Sequence, residues 1–203
     1  PEFTENEFVI VKADQSTKKP LLGRIENDRI LPLKFKKAKP YGISPKNVGQ
    51  YFLQEALMQP ASKAPLVIVK GMAGTAKTFY SLAVGLEKLL NNPSGEYRRN
   101  LIQAEALNFI RGRSIVKTYL IIDEAQNMTP NQVKGIISRA GEGTKIILLG
   151  DPAQIDRPFL DERTNGLSYA AQYMKGSPLC WQVTLTADEC ERSALAMDAI
   201  KRL

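Results

Sequence analysis

The chain has 203 residues, 43% of them hydrophobic and 24% charged, which is ordinary for a globular protein with one sizeable core. Its 28 basic and 21 acidic side chains leave a net charge of +7, a balance that favours polyanionic partners. There is no histidine, and the only cysteines are Cys180 and Cys190; this excludes histidine-ligated metal, histidine acid–base chemistry, zinc-finger spacing and a disulfide framework, and points to reduced thiols in a cytoplasmic compartment.

The first residues, PEFTENEF, are acidic and polar, unlike a signal peptide. No apolar run approaches the roughly 18 residues of a membrane span. With no Met before Pro1, the chain reads as an excised piece of a longer protein with a domain lost upstream. Glu7 to Lys12 (EFVIVK) and Leu21 to Leu33 (LLGRIENDRILPL) read as short strands, with Asn27-Asp28 as a hairpin turn. Lys34 to Pro40 (KFKKAKP) is a basic linker, either a solvated connector or a polyanion contact. The expected division is a small β element and linker over 1–40 and a main domain over 41–203.

Ser44-Pro45-Lys46 predicts a helix start, with Ser as cap and Pro at the first position. Val48, Tyr51, Phe52, Ala56 and Leu57 then share one face. Asn47 and Gln50 near that start carry amides that donate and accept at once, which suits an adenine edge; two exposed amides are the plainer reading.

Leu66 to Tyr80 (LVIVKGMAGTAKTFY) organises the rest. Leu66-Val67-Ile68-Val69 is the apolar run of a strand buried on both faces. Gly71, Met72, Ala73, Gly74, Thr75 and Ala76 follow as a glycine-rich loop, and Lys77-Thr78 opens a helical pattern to Leu90. Strand, loop and helix in that order make a phosphate-binding loop. Backbone N–H groups and the helix N-terminus attract an anion. Lys77 would reach the β- and γ-phosphates of a nucleotide such as ATP, and the Thr78 hydroxyl would ligate Mg²⁺. Ala76 stands where GxxxxGK[ST] has its last glycine, and its methyl penalises a positive φ by roughly 1 kcal/mol. A turn between a core strand and a helix is the alternative.

Asn91 to Asn100 is a loop by composition. A helix pattern runs from Ile102 to Ile110, followed by Arg111 and Arg113. Thr118 to Ile122 (TYLII) is a second buried strand, ending in Asp123-Glu124. An acidic pair there would hold the Mg²⁺ shell through Asp123 and orient the attacking water through Glu124. Thr129-Pro130-Asn131-Gln132 is a capping box opening a helix to Arg139. Lys145 to Leu149 (KIILL) is a third core strand, leading into Asp151 and Gln154. Gln154 would sense the γ-phosphate, with Asp151 ordering the turn. Asn165 to Lys175 reads as a helix, Trp181 to Leu185 as a strand and Asp188 to Leu203 as a closing helix, with Arg192 in its first turn, where a cation either meets an anion or sits in a surface salt bridge.

Three strands thus deliver polar motifs at their carboxyl ends, where open α/β sheets bind ligands. Together, GMAGTAKT, YLIIDEAQNMTPNQVKGIISRAGEGTKIILLGDPAQID and the FIRGRS segment resemble the PhoH-like ATPase family, close to RecA-fold superfamily 1 helicases. The resemblance runs from about Tyr41 to Leu203. It implies an α/β, RecA-like P-loop NTPase with a mostly parallel sheet flanked by helices, Mg-ATP as cofactor and a homo-hexameric ring. In members with an upstream PIN ribonuclease domain it also implies ATP-driven unwinding and cleavage of RNA; the β element and basic linker suit such a junction. Gly42 to Gln50 looks like the family's adenine-recognition segment, and Val183 to Arg192 like its last motif, bringing Arg192 to the nucleotide. Arg111, Arg113 and Arg139 are candidates for contacts to a neighbouring subunit or nucleic acid. The family has another strand and an insertion between the positions of Leu90 and Ile102, so either residues are missing there, which is the favoured expectation, or the sheet lacks a strand. The leading expectation is an ATPase moving on single-stranded RNA. An NTP-dependent switch or assembly factor, and a nucleic-acid-binding module with a weakened nucleotide site, stand as alternatives.

Overall fold

The computed structural model describes residues 2–12, 19–91 and 114–186, together with Asp198 and Arg202. The expected helix over 102–110, Arg111, Arg113, Cys190 and Arg192 lie outside the described residues. Of the closing helix, Asp198 and Arg202 are helical and joined by an ion pair of 2.8 Å.

The elements are β1 (Phe8–Val11), β2 (Leu21–Glu26), β3 (Arg29–Pro32), α1 (Val48–Met58), β4 (Leu66–Gly71), α2 (Lys77–Leu90), β5 (Tyr119–Ile122), α3 (Pro130–Ile137), β6 (Lys145–Gly150), α4 (Gly166–Tyr173) and β7 (Cys180–Leu185). β4 to β7 form a four-stranded parallel sheet in the order β5-β6-β4-β7. Its strands alternate between two cores, as a period of two requires. Val67, Val69, Ile147, Leu149, Trp181 and Val183 face Leu53, Leu57, Tyr80 and Val84 of α1 and α2. Leu66, Ile68, Ile146, Leu148 and Cys180 face Val133, Ile136, Leu167 and Ala170 of α3 and α4. This is the RecA-like α/β architecture expected from the motifs.

The N-terminal sheet has the antiparallel order β1-β2-β3. Its hairpin turns at Asn27 and Asp28, whose φ angles of 50° and 58° put both in the left-handed region, the combination a two-residue hairpin of type I′ needs. Phe8 stacks on Phe52 with ring centroids 4.9 Å apart, and the Arg24 guanidinium lies 4.1 Å from the Trp181 ring centre. Asn6 Nδ2 donates to the carbonyls of Ser177, Pro178 and Cys180. The small sheet is therefore seated at the start of β7.

Two features depart from the sequence reading. First, α1 starts at Val48, not at Ser44-Pro45. Asn47 Oδ1 accepts from the Gln50 N–H at 2.9 Å and Gln50 Oε1 accepts from the Lys46 N–H at 2.9 Å, so an asparagine cap wins over the upstream serine. Second, the basic stretch is not a loose connector. Both oxygens of the buried Glu55 carboxylate accept backbone N–H groups, from Lys34 at 3.0 Å and Phe35 at 2.8 Å. Gln54 Nε2 donates to the carbonyls of Phe35 and Ala38. Lys34, Lys36, Lys37 and Lys39 stand exposed on this pinned turn.

Lys145 opens β6 from a fully buried position. Its Nζ donates to the carbonyls of Ala56, Gln59 and Ala64 at 2.8, 2.9 and 3.0 Å. A buried ammonium is tolerable when its donors are met, and this one ties the end of α1 to the sheet.

Candidate functional site

The motif residues converge at the carboxyl ends of β4, β5 and β6. There Ala73, Gly74, Ala76, Lys77, Thr78, Phe79, Asp123, Glu124, Asp151 and Gln154 line a cavity of about 320 Å³. A larger cavity of about 580 Å³ lies between the N-terminal segment, α4 and β7. It contains none of these residues, so the smaller one is the candidate site.

The loop from Met72 to Ala76 is held by its own groups. Thr75, with 1% of its surface exposed, donates its hydroxyl to the Met72 carbonyl at 2.7 Å. Lys77 Nζ donates to the same carbonyl at 3.0 Å. Gly71 and Thr75 are buried, and Met72 is exposed. Gly74 has φ 84° and Ala76 φ 62°. Ala76 thus takes up the left-handed conformation that a glycine would adopt freely, with the strain foreseen from the sequence.

α1, α3 and α4 each have a side-chain N-cap, supplied by Asn47, Thr129 and Asn165. α2 has Ala76 as its N-cap residue, which offers no side-chain cap. Its first N–H groups open beside Lys77 on the cavity, the arrangement that accepts a phosphate.

α2 reaches β5 closely. A Cβ at Gly85 would lie 2.9 Å from Tyr119 Cε1, and Tyr119 donates its hydroxyl to the Ser81 carbonyl at 3.1 Å. That approach brings the first turn of α2 to the end of β5, where Thr78 Oγ1 donates to Asp123 Oδ2 at 2.7 Å. Asp123 Oδ1 accepts the Glu124 N–H at 2.9 Å. Among the described residues no group of three or more His, Cys, Asp or Glu side chains would hold a metal alone. A hydroxyl and a single carboxylate beside a phosphate cradle instead fit Mg²⁺, which takes one or two protein oxygens and completes its shell from phosphates and water.

Glu124 has φ 54° and ψ 35°, another non-glycine residue in the left-handed region. The residue that engages its carboxylate is one the sequence reading left without a role. Gln126, with no exposed surface, donates Nε2 to Glu124 Oε2 at 2.6 Å and to the Gln154 carbonyl at 2.9 Å. Its Oε1 accepts the Asp151 N–H at 3.2 Å. The signal was present in DEAQ, an amide two residues beyond a candidate catalytic acid. Asp151 orders its own turn as expected, accepting the Ala153 N–H at 3.0 Å.

Other candidates sit apart. Gln50 is 2% exposed, engaged in the α1 cap, and does not line the cavity. Arg139 bends back onto its own helix, donating to the Gly135 carbonyl. Among the described residues no helix is long and apolar enough to cross a membrane.

Comparison with known proteins agrees with the motifs. The family model described as PhoH-like protein matches residues 94–203, which include the Asp123-Glu124 and Asp151–Gln154 segments. Protein PhoH2 of Bacillus subtilis strain 168 is 34% identical over 251 residues, covering 96% of this chain and 55% of that protein. Protein PhoH2 of Thermobispora bispora is 25% identical over 231 residues, covering 89% of this chain and 52% of that protein. A PhoH-like protein of Bacillus subtilis strain 168 is 42% identical over 78 residues, 38% of this chain. The chain thus spans about half the length of the two PhoH2 proteins. Both alignments are longer than the chain itself, so those relatives carry residues that this chain lacks. On the match of the family model to more than half of its length, the chain belongs to the PhoH-like family.

Proposed function

We propose that this chain binds Mg-ATP in the cavity at the carboxyl ends of β4, β5 and β6, hydrolyses it, and couples hydrolysis to single-stranded RNA. The observation that carries the reading is the coincidence, on one cavity, of the uncapped N-terminus of α2 with Lys77, the Thr78–Asp123 pair and Glu124. Nucleotide binding follows from the family and the P-loop fold; hydrolysis rests on Glu124.

In this account Lys77 exchanges the Met72 carbonyl for phosphate oxygens. The α2 N–H groups take the remaining phosphate charge. Thr78 and Asp123 would hold Mg²⁺, which when bound would supply charge neutralisation on the phosphates. Glu124 receives a hydrogen bond from the attacking water and turns it toward the γ-phosphate, while Gln154 meets that phosphate from the loop after β6. Arg192 and Gln50 are proposed to complete the site, at the phosphate and the adenine.

The RNA part is supported by the net charge of +7 and by the pinned turn that exposes Lys34, Lys36, Lys37 and Lys39. Salt-dependent contact with a phosphate backbone needs cations of that kind. A hexameric ring and an upstream PIN ribonuclease domain in the full-length protein belong to the same proposal. The test is ATP turnover by this chain with and without single-stranded RNA, with its mass in solution measured alongside. Turnover that rises with RNA supports the reading. RNA-independent turnover favours the nucleotide switch, and RNA binding without turnover favours a binding module.

A further inference from the structure

Two polar groups at the site come from different loops: Glu124 after β5, and the Asp151–Gln154 turn after β6. We propose that Gln126 is a positioning residue that locks these two loops together, so that the water-orienting carboxylate and the phosphate-sensing turn move as one body. The role in turnover rests on the hydrolysis reading above; the lock itself does not.

Gln126 is buried in a single turn of 3-10 helix, Ala125–Asn127, and its amide is engaged on both sides. Both Nε2 hydrogens are donated, one to the Glu124 carboxylate at 2.6 Å and one to the Gln154 carbonyl at 2.9 Å. Oε1 takes the Asp151 N–H at 3.2 Å. The partners fix which way the amide points. A carboxylate and a carbonyl only accept and a backbone N–H only donates, so the flipped amide would fail at all three contacts.

Glu124 needs such a hold. Its side chain is exposed on the cavity, where a glutamate otherwise keeps much of its rotamer freedom, and its backbone is in the strained left-handed region. The other wall is shaped to the same amide. A Cβ at Gly150 would collide with Gln126 Oε1 and stand 2.8 Å from Leu167 Cδ2, so the end of β6 passes the glutamine only as glycine. One further amide joins the same loops, Asn127 Oδ1 accepting the Asp156 N–H at 2.9 Å, but it is Gln126 that holds both Glu124 and the Asp151–Gln154 turn.

Two substitutions in the full chain separate the lock from simple packing. Gln126→Met keeps the length and loses all three hydrogen bonds. Gln126→Glu keeps an acceptor for the Asp151 N–H but sets a carboxylate against that of Glu124. Hydrogen exchange of the Asp151 amide, read without nucleotide by NMR, is expected to quicken at least tenfold in Gln126→Met and to stay slow in Gln126→Glu. With Mg-ATP, both variants are expected to lose kcat by roughly a hundredfold, the scale of a small misplacement of a catalytic group. Affinity for a fluorescent ATP analogue is expected to hold within about threefold, since the phosphate loop is untouched.

Unchanged Asp151 exchange in Gln126→Met overturns the lock. So does full turnover in Gln126→Glu, because packing alone would tolerate it. If the unsubstituted chain shows no turnover, the hydrolysis reading falls, and the lock stands or falls on the exchange result alone.

Discussion

Thr78 Oγ1 donates to Asp123 Oδ2 at 2.7 Å, joining the first turn of α2 to the end of β5. The hydroxyl proton satisfies one carboxylate oxygen, and in the proposed reading Thr78 and Asp123 are the residues that would hold a nucleotide-bound Mg²⁺. Asp123→Asn is therefore expected to raise the Mg²⁺ concentration for half-maximal turnover by roughly tenfold or more, with Thr78→Val shifting it in the same direction. A Mg²⁺ titration at saturating ATP measures this. An unaltered requirement in Asp123→Asn would put the metal elsewhere.

Ala76 carries backbone strain at the start of α2. Its φ of 62° costs an L-residue about 1 kcal/mol relative to glycine. Ala76→Gly is expected to raise Tm by roughly 2–4 °C in a chain of this size. A fall in Tm would mean that the Ala76 methyl, which packs against the α1–α2 core, outweighs the backbone strain.

Lys145 is the deepest charge among the described residues for which three carbonyl partners are seen. Lys145→Met leaves the carbonyls of Ala56, Gln59 and Ala64 without that donor. A charged buried hydrogen bond contributes about 1.5–3 kcal/mol, so the substitution is expected to destabilise the fold by about 3 kcal/mol or more in urea unfolding. A loss under about 1 kcal/mol would show that the apolar chain replaces the ammonium without penalty, as happens at some buried ion sites.

Glu26 ties β2 to the core through Arg24 and Lys63, each at 2.8 Å. Hydrogen bonds from Lys63 and Arg24 hold its carboxyl down from 4.5 to about 2. The folded value is the lower one, so the ionised form stabilises the fold above pH 4.5 and that contribution is lost as pH falls toward 2. Glu26→Gln is expected to be less stable than the parent at pH 6, with the gap narrowing by pH 3 and closing near pH 2. A gap of equal size at pH 6 and pH 2.5 would assign it to packing instead of charge.

What the sequence disclosed was local. The Thr129 capping box is seen as read, with Gln132 returning the bond to the cap residue, because both partners lie within one turn. Asn27-Asp28 and the glycine-rich loop were equally legible, since positive φ and strand–loop–helix order are written in adjacent residues. What escaped depends on residues distant in the chain. Lys145 reads as the polar end of KIILL, yet its three carbonyls belong to residues 81 to 89 positions earlier. Gln126 reaches the turn 28 residues on. Ser44-Pro45 is a sound helix start by composition, but Asn47 with Gln50 closes a better cap three residues later, and nothing in composition ranks one above the other. Arg24 on Trp181 likewise joins the first small sheet to the last strand of the main one, a pairing no spacing rule foretells.

The most direct test of the account is ATP turnover and ATP-analogue binding measured together for the parent chain, Lys77→Ala and Glu124→Gln. The account predicts that Lys77→Ala loses both. It predicts that Glu124→Gln still binds the nucleotide and loses turnover by roughly a hundredfold or more, the scale on which positioned acid–base groups act. Turnover that survives intact in Glu124→Gln would contradict the assignment of the water-orienting role, and binding that survives intact in Lys77→Ala would contradict the site itself.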